Sequence, residues 1–322
     1  MTAAGPSFDP RVELGRGLIL ANPITVASGT FGFGFEAEAL AGISHLGAIF
    51  SKGTTLLARE GNHPPRIAET AAGMLNSIGL QNPGVEVVAR DYAPRWATWR
   101  VPVLVNVAGA DISEYVAVVQ RLDGVTGVAG VELNISCPNI AHGLDFATEP
   151  RAAARCVAAV RASTEMPLVV KLSPNVTDLT EVARAVEDAG ADAVSAVNTY
   201  VGMKVNLPSR RPVLAGQGTG GLSGPAIKPL ALAAVARVRR AVAVPVIGIG
   251  GIANATDALE FLVAGADAVQ VGTSNFTNPK ASREIVEGCL AYAQQHGLRR
   301  FTELHWQELD HPGTQEAGLS PD

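Results

Sequence analysis

The chain has three cysteines in 322 residues and no stretch dense in lysine or arginine. Three thiols fit a reducing cytoplasm better than a disulfide framework. The opening MTAAGPSFDPR lacks the basic segment and apolar run of a signal peptide, so a cytoplasmic protein is expected. Three cysteines also fall short of the four thiolates that an ordinary iron–sulfur cluster takes. No Cys/His pair has metal-ligand spacing. With a formal net charge of −5 and no basic run, neither a nucleic-acid groove nor a polybasic membrane patch is expected. Charge is missing altogether from Gly17 to Phe35, long enough to raise the question of a membrane span. Asn22, Pro23, Thr25, Ser28, Thr30 and several glycines in that run argue against one. Low-complexity blocks and linkers are missing too. One domain over 1–322 is expected, with about 1–11 and 306–322 as flexible tails. What is abundant is apolar surface: 47% of residues are hydrophobic and 17% charged, enough for one large core.

Eight short apolar runs rich in Val and Ile recur along the chain, each followed by a helical pattern. They lie at 24–29, 47–52, 102–107, 131–136, 168–173, 193–198, 245–250 and 268–273. None alternates strictly with polar residues, as expected of parallel strands buried on both faces. Helical patterns follow at 149–164, 177–190, 225–242, 254–266 and 278–297. Eight β–α units predict a closed α/β (β/α)8 barrel, with an open doubly wound sheet as the alternative. Two insertions interrupt the rhythm, at 53–83 after the second strand and 199–224 after the sixth. Both leave from strand C-terminal ends, where such barrels keep their active sites. Residues 12–23 could form an N-terminal hairpin that plugs the opposite face.

The strand ends carry Ser28-Gly29, Lys52-Gly53, Asn106, Asn134 with Cys137, Lys171 with Ser173, Asn198-Thr199, Gly250-Gly251 and Gly272-Thr273. Any one of these could be a turn or capping residue. Together, on a barrel, they would converge on one cavity. The glycines closing strands seven and eight would let backbone N–H groups approach a phosphate, or would serve only as tight turns. Gly248 to Ala253 and Gly32 to Ala37 both match a dinucleotide fingerprint, and two chance hits show how little that pattern decides alone. Lys52 and Lys171 could pair with a ligand anion, form a Schiff base or bridge to a loop carboxylate. Cys156 and Cys289 sit in helical patterns among small apolar residues and read as packing. Cys137 stands on a loop at the cavity mouth. It could be a nucleophile with His142, a proton-transfer base or a structural thiol; its amide and hydroxyl neighbours, Asn134, Ser136 and Asn139, suit a polar heterocycle.

NISCPN, KLSPNVTD, NTYVGM, TGGLSGPAIKP, GIGGI and VGT, with NPITVASGTFGFG and LNSIGLQNPGV, resemble the class 1 dihydroorotate dehydrogenases, and the 1B catalytic subunit in particular. The match runs from about residue 12 to 300. The resemblance implies an FMN-binding barrel. FMN would contact Ser28, Lys52, Gly53, Asn106, Asn134, Lys171, Val197, Gly224, Gly250, Gly251, Gly272 and Thr273. Substrate would be held by Lys52, Asn76, Ser77, Ile78, Gly79, Leu80, Asn134, Asn198 and Thr199. Cys137 would be the base that takes the C5 proton of dihydroorotate while hydride leaves C6 for the flavin. The 1B pattern further implies a homodimer within a heterotetramer, with electrons passing to NAD through a partner subunit that carries FAD and a [2Fe–2S] cluster. The chain departs from the family pattern in NIAHGLDF, which has one glycine and is one residue shorter, and in LAGQGTGGLSG, which has about one extra residue. KLSPNVTD and SGPAIKP also resemble dihydropyrimidine dehydrogenase, which would make the chain a uracil reductase. The remaining alternatives are a fumarate-dependent 1A-type homodimer, a Lys171 Schiff-base lyase and a silent phosphate-binding scaffold.

Overall fold

The computed structural model describes residues 8–136, 148–215 and 218–306. Eight parallel strands close into a barrel: β1 Ile24–Val26, β2 Ala48–Phe50, β3 Val103–Val107, β4 Gly130–Asn134, β5 Leu168–Leu172, β6 Ala193–Ala196, β7 Val246–Ile249 and β8 Ala268–Val271. The ring runs in chain order, and β8 pairs with β1 to close it. Seven of the strands fall inside the eight apolar runs, and β4 begins at Gly130, one residue ahead of its run. The expected (β/α)8 barrel is therefore the observed architecture, and the open sheet is not.

Side chains in a strand point alternately to its two faces, and here both faces are buried. The outward residues of the strands pack beneath the helices in one large cluster. The inward residues form a second cluster of Ala48, Phe50, Leu104, Val169, Ala193, Ile247 and Ala268. The N-terminal hairpin joins that inner cluster. Val12–Glu13 pairs with Ile19–Leu20, and Leu14, Leu18 and Leu20 pack into the barrel bottom. The expected plug is thus in place. It buries apolar side chains, each contributing roughly 1.5–3 kcal/mol.

The helices begin where the sequence offers a cap. Asp111 accepts from Glu114 N ahead of Ile112–Leu122, and Asp178 from Thr180 N ahead of Leu179–Asp188. Asn254 and Asp257 cap each other's backbone ahead of Ala255–Val263. Outside the barrel, Phe8 stands edge-on to Phe301 with ring centroids 5.1 Å apart. No helix among the described residues is long and apolar enough to cross a membrane.

The two insertions, far apart in sequence, meet above the barrel. Tyr200–Gly202, Gly220–Ser223, Gly73–Asn76 and Ile67–Thr70 form one four-stranded antiparallel sheet in that order. The sheet brings Asn76 opposite Gly221, and Asn76 Nδ2 donates to Gly221 O at 3.3 Å.

Candidate active site

Two positions along each strand from an inward apolar residue stands the next inward residue, and here polarity enters. Leu104 is followed by Asn106, Val169 by Lys171, Ala193 by Ser195 and Ala268 by Gln270. All four of these polar residues are buried. Glu132 on β4 belongs to the same layer, because its carboxylate accepts from Asn106, Ser195 and Gln270. Above the apolar plug, then, the barrel interior turns polar toward the C-terminal ends of its strands.

Lys171 is 4% exposed, and its Nζ donates to Ser28 Oγ at 3.3 Å across the barrel mouth. Asn134 lies beside it in register on β4. Asn134 Oδ1 accepts from Asn198 Nδ2 at 3.2 Å, and Tyr115 Oη donates to Asn134 O at 2.6 Å. Asn198 Oδ1 in turn accepts from Thr199 N at 2.9 Å. The strand ends β1, β4, β5 and β6 are thereby joined by polar contacts. Val197 is buried at the end of β6, its N–H donating to Ile249 O at 3.0 Å.

Lys52 is half-buried, and its ammonium has no hydrogen-bond or ion-pair partner among the described residues. Burial is the main influence that lowers its pKa, followed by the nearby Arg66; Glu36 opposes both. A desolvated, unpaired ammonium is a ready receptor for an anion.

The loop 76–80 reaches the same mouth and is clamped from behind. Asn62 Nδ2 donates to Ser77 O and Ser77 Oγ, and Asn62 N to Ile78 O. Asn82 donates to Leu80 O at 2.7 Å and Thr55 Oγ1 at 2.8 Å, and accepts from Thr55 N and Gly84 N. Leu80 adopts a left-handed backbone at φ 56°.

The glycine-bearing ends lie together. Gly251 has φ 73°, and a Cβ built on it would stand 2.9 Å from Gly224 O and 2.8 Å from Lys228 Cβ. A Cβ on Gly224 would fall 3.6 Å from Thr273 Cγ2, and Thr273 Oγ1 donates to Ser223 Oγ at 2.8 Å. Gly272 is different: among the described residues a Cβ there would meet only Ala27 Cβ, at 3.7 Å. Gly224, Gly250-Gly251 and Gly272-Thr273 thus form one cradle, with open space over Gly272.

These residues fit FMN. The cradle suits its phosphate. The buried Lys171 suits electron-rich ring atoms, and Asn106 Oδ1 is a buried acceptor without a partner among the described residues, 3.1 Å from where a Gly53 Cβ would lie. Cys137 lies outside the described residues, which break off after Ser136 on the loop leaving β4. Cys156 and Cys289 are buried in helices, and desolvation pushes both thiols up to about 12. They pack, as their settings suggest. No group of three or more His, Cys, Asp or Glu residues among the described ones could hold a metal.

The sequence reading missed Glu132, Ser195 and Gln270. The signal was present: VELNIS, AVSAVN and AVQVGT each carry one polar residue in mid-strand. A charged residue in a strand buried on both faces has to be explained by partners.

A family profile described as dihydroorotate dehydrogenase matches residues 15–292. Curated relatives cover almost the whole chain. A protein of Pelobacter propionicus is 53% identical over 289 residues, 89% of this chain and 95% of its own. Proteins of Desulforamulus reducens and Porphyromonas gingivalis are 51% and 49% identical over 294 residues each, 91% of this chain and 96% and 95% of theirs. All three are named dihydroorotate dehydrogenase B (NAD(+)), catalytic subunit. A closed barrel with a polar mouth and a glycine cradle, matched by this profile over most of its length, is therefore a member of the dihydroorotate dehydrogenase family.

Proposed function

We propose that the chain is the catalytic subunit of an NAD-linked, 1B-type dihydroorotate dehydrogenase. It would oxidise dihydroorotate to orotate in pyrimidine biosynthesis, in the cytoplasm, with FMN across the strand ends. The observation that supports this reading is that buried Lys171, half-buried Lys52 and the glycine cradle all stand at the C-terminal strand ends of one closed barrel. FMN, when bound, accepts the hydride from substrate C6.

The chain's own residues do the rest. N–H groups of Gly250-Gly251 and Gly272-Thr273 hold the phosphate, with Gly224 at its edge. Ser28, Gly53, Asn106, Val197 and Lys171 surround the ring. Lys52 pairs with the substrate carboxylate, helped by Asn76 and the backbone of the loop Ser77–Leu80. An uncharged pyrimidine would leave that ammonium unpaired, which argues against uracil as the substrate. Asn134, Asn198 and Thr199 bind the amide edge of the ring. Cys137 takes the C5 proton, a step in which a positioned base is worth roughly 10²–10⁴ in rate. A thiol with an ordinary pKa of about 8.5 is only partly ionised at neutral pH, so turnover rises into the alkaline range.

Electrons then leave for a partner. The relatives are named as catalytic subunits, and this chain's three cysteines cannot supply a cluster of their own. The two insertions expose Leu57, Ile67, Val201, Met203, Val205 and Leu207, a set of apolar side chains that suits subunit contact. The assembly in this reading is a heterotetramer: two copies of this chain and two of an FAD- and [2Fe–2S]-bearing subunit.

The visible spectrum of the purified chain tests the proposal. A flavin band that bleaches on anaerobic addition of dihydroorotate is expected. A colourless protein that takes up no FMN, or a yellow one that dihydroorotate leaves oxidised, overturns it. Cys137→Ala should keep the band and lose the bleaching.

A further inference from the structure

Glu132 is a carboxylate at 0% exposure inside the barrel, and the steps just described do not use it. Its oxygens are fully engaged. Oε1 accepts from Ser195 Oγ at 2.8 Å and from Gln270 Nε2 at 2.8 Å; Oε2 accepts from Asn106 Nδ2 at 2.6 Å. Three strands on different sides of the barrel therefore send a donor to one residue of a fourth. No lysine or arginine among the described residues pairs with it. A buried carboxylate held only by neutral donors is an expensive feature for a barrel that could fill the same space with Leu or Ile. It calls for a function.

The chemistry of the partners supplies one. Both carboxyl oxygens of Glu132 serve as acceptors, so each amide beside it turns its NH2 inward. The carbonyl oxygens of Asn106 and Gln270 are then forced away from Glu132. Both oxygens, Asn106 Oδ1 and Gln270 Oε1, are buried and have no hydrogen-bond partner among the described residues. Two unsatisfied acceptors around one carboxylate are costly in a folded protein. Asn106 Oδ1 stands 3.1 Å from the Cβ position of Gly53, at the strand end where Lys52 also lies. A side chain at residue 53 would crowd that oxygen, and glycine leaves it open.

We propose that Glu132 is a positioning residue for the flavin: it locks the Asn106 amide so that its carbonyl oxygen accepts a hydrogen bond from the ring N–H of the cofactor. The proposal rests on the FMN reading above. Glu132 does not touch the cofactor in this scheme; it acts through Asn106. With Gln at 132 the lock is lost, because a primary amide can donate as well as accept, and the Asn106 amide is free to turn over.

The test compares purified holoproteins of wild type, Glu132→Gln, Asn106→Ala and the double variant. FMN affinity is read from the fluorescence of released flavin, and the flavin midpoint potential by dye-coupled reduction. Glu132→Gln should bind FMN about tenfold more weakly, with the midpoint potential moved positive as a neutral amide replaces the carboxylate. Asn106→Ala should weaken FMN by a similar factor, and the double variant no further. Wild-type affinity and potential in Glu132→Gln overturns the proposal, and so does a double variant whose losses multiply. If Glu132→Gln gives no soluble protein, Asn106→Ala decides alone: it deletes the presented oxygen and leaves Glu132 with Ser195 and Gln270. Unchanged FMN affinity in that variant overturns the proposal. A wild-type chain that binds no FMN refutes the cofactor reading itself, a result distinct from either failure.

Discussion

Alanine at residue 251 and alanine at residue 272 should separate the fold from the phosphate cradle. At Gly251 the backbone has φ 73°, where an L side chain costs roughly 1–2 kcal/mol. The new methyl would also stand 2.8 Å from Lys228 Cβ and 2.9 Å from both Lys228 N and Gly224 O. Two of those three atoms are backbone and cannot swing aside. Overpacking of this kind adds about 1–3 kcal/mol. Gly251→Ala should therefore lose about 2–5 kcal/mol, which at roughly 2 °C per kcal/mol lowers Tm by about 4–10 °C. Gly272 carries no such burden: its φ is not in the left-handed range, and among the described residues its methyl would touch only Ala27 Cβ at 3.7 Å. The Gly272→Ala fold should melt within about 1 °C of wild type when both are stripped of FMN, since surface-like substitutions stay within ±0.5 kcal/mol. Its FMN affinity should nonetheless fall, because the methyl occupies the space over the cradle. Thermal melts with and without excess FMN, together with flavin fluorescence, read both quantities. Full FMN affinity in Gly272→Ala, or an unaltered melting point in Gly251→Ala, would refute the reasoning.

Lys52→Ala should weaken orotate binding at least tenfold while leaving the flavin band in place, as read from the spectral change on orotate addition. In wild type the same binding should weaken as pH rises, and at a lower pH than the ordinary lysine value of 10.5, because burial favours the neutral amine. Asn82→Ala removes four hydrogen bonds behind the substrate loop. A loss of about 2–3 kcal/mol in urea unfolding and a KM raised more than kcat is lowered are expected; unchanged KM would show that the clamp does not set the loop. His45 is partly buried, its pKa pushed down to about 4 chiefly by desolvation, with Arg283 adding to the effect. A histidine depressed in the folded state binds fewer protons than in the unfolded chain, so stability present above about pH 6.5 is lost as pH falls toward about 4. After discounting for partial exposure the loss is about 1 kcal/mol, and His45→Leu should flatten that part of the stability–pH curve.

The eight barrel strands could be read from the sequence because burial on both faces demands continuous runs of Val, Ile and Ala, and nothing else in the chain imitates them. The helix starts could be read because Asp111, Asp178 and Asn254 satisfy amides within three residues of themselves. Both signals are local. The strand-end residues Ser28, Lys52, Asn134, Lys171 and Asn198 were identified for the same reason: once strands are placed, their ends follow. The loops at the mouth were less legible. The stretch 53–83 shows no periodicity of its own, since its strands are completed by Gly220–Ser223, far away in sequence. Ile67–Thr70 and Gly73–Asn76 are only partly buried, so neither carries the continuous apolar run that marks the equally short barrel strands.

The sequence by itself thus determined the barrel, its glycine-bearing ends and the residues available to its mouth, because those depend on composition within a single strand or turn. Only the tertiary structure decided that Glu132 gathers Asn106, Ser195 and Gln270, that Lys171 reaches Ser28, and that Gly224 closes against Gly251. Those contacts join residues 26 to 143 positions apart, and no spacing rule reaches that far: closing the ring of strands is what brings them within hydrogen-bond distance.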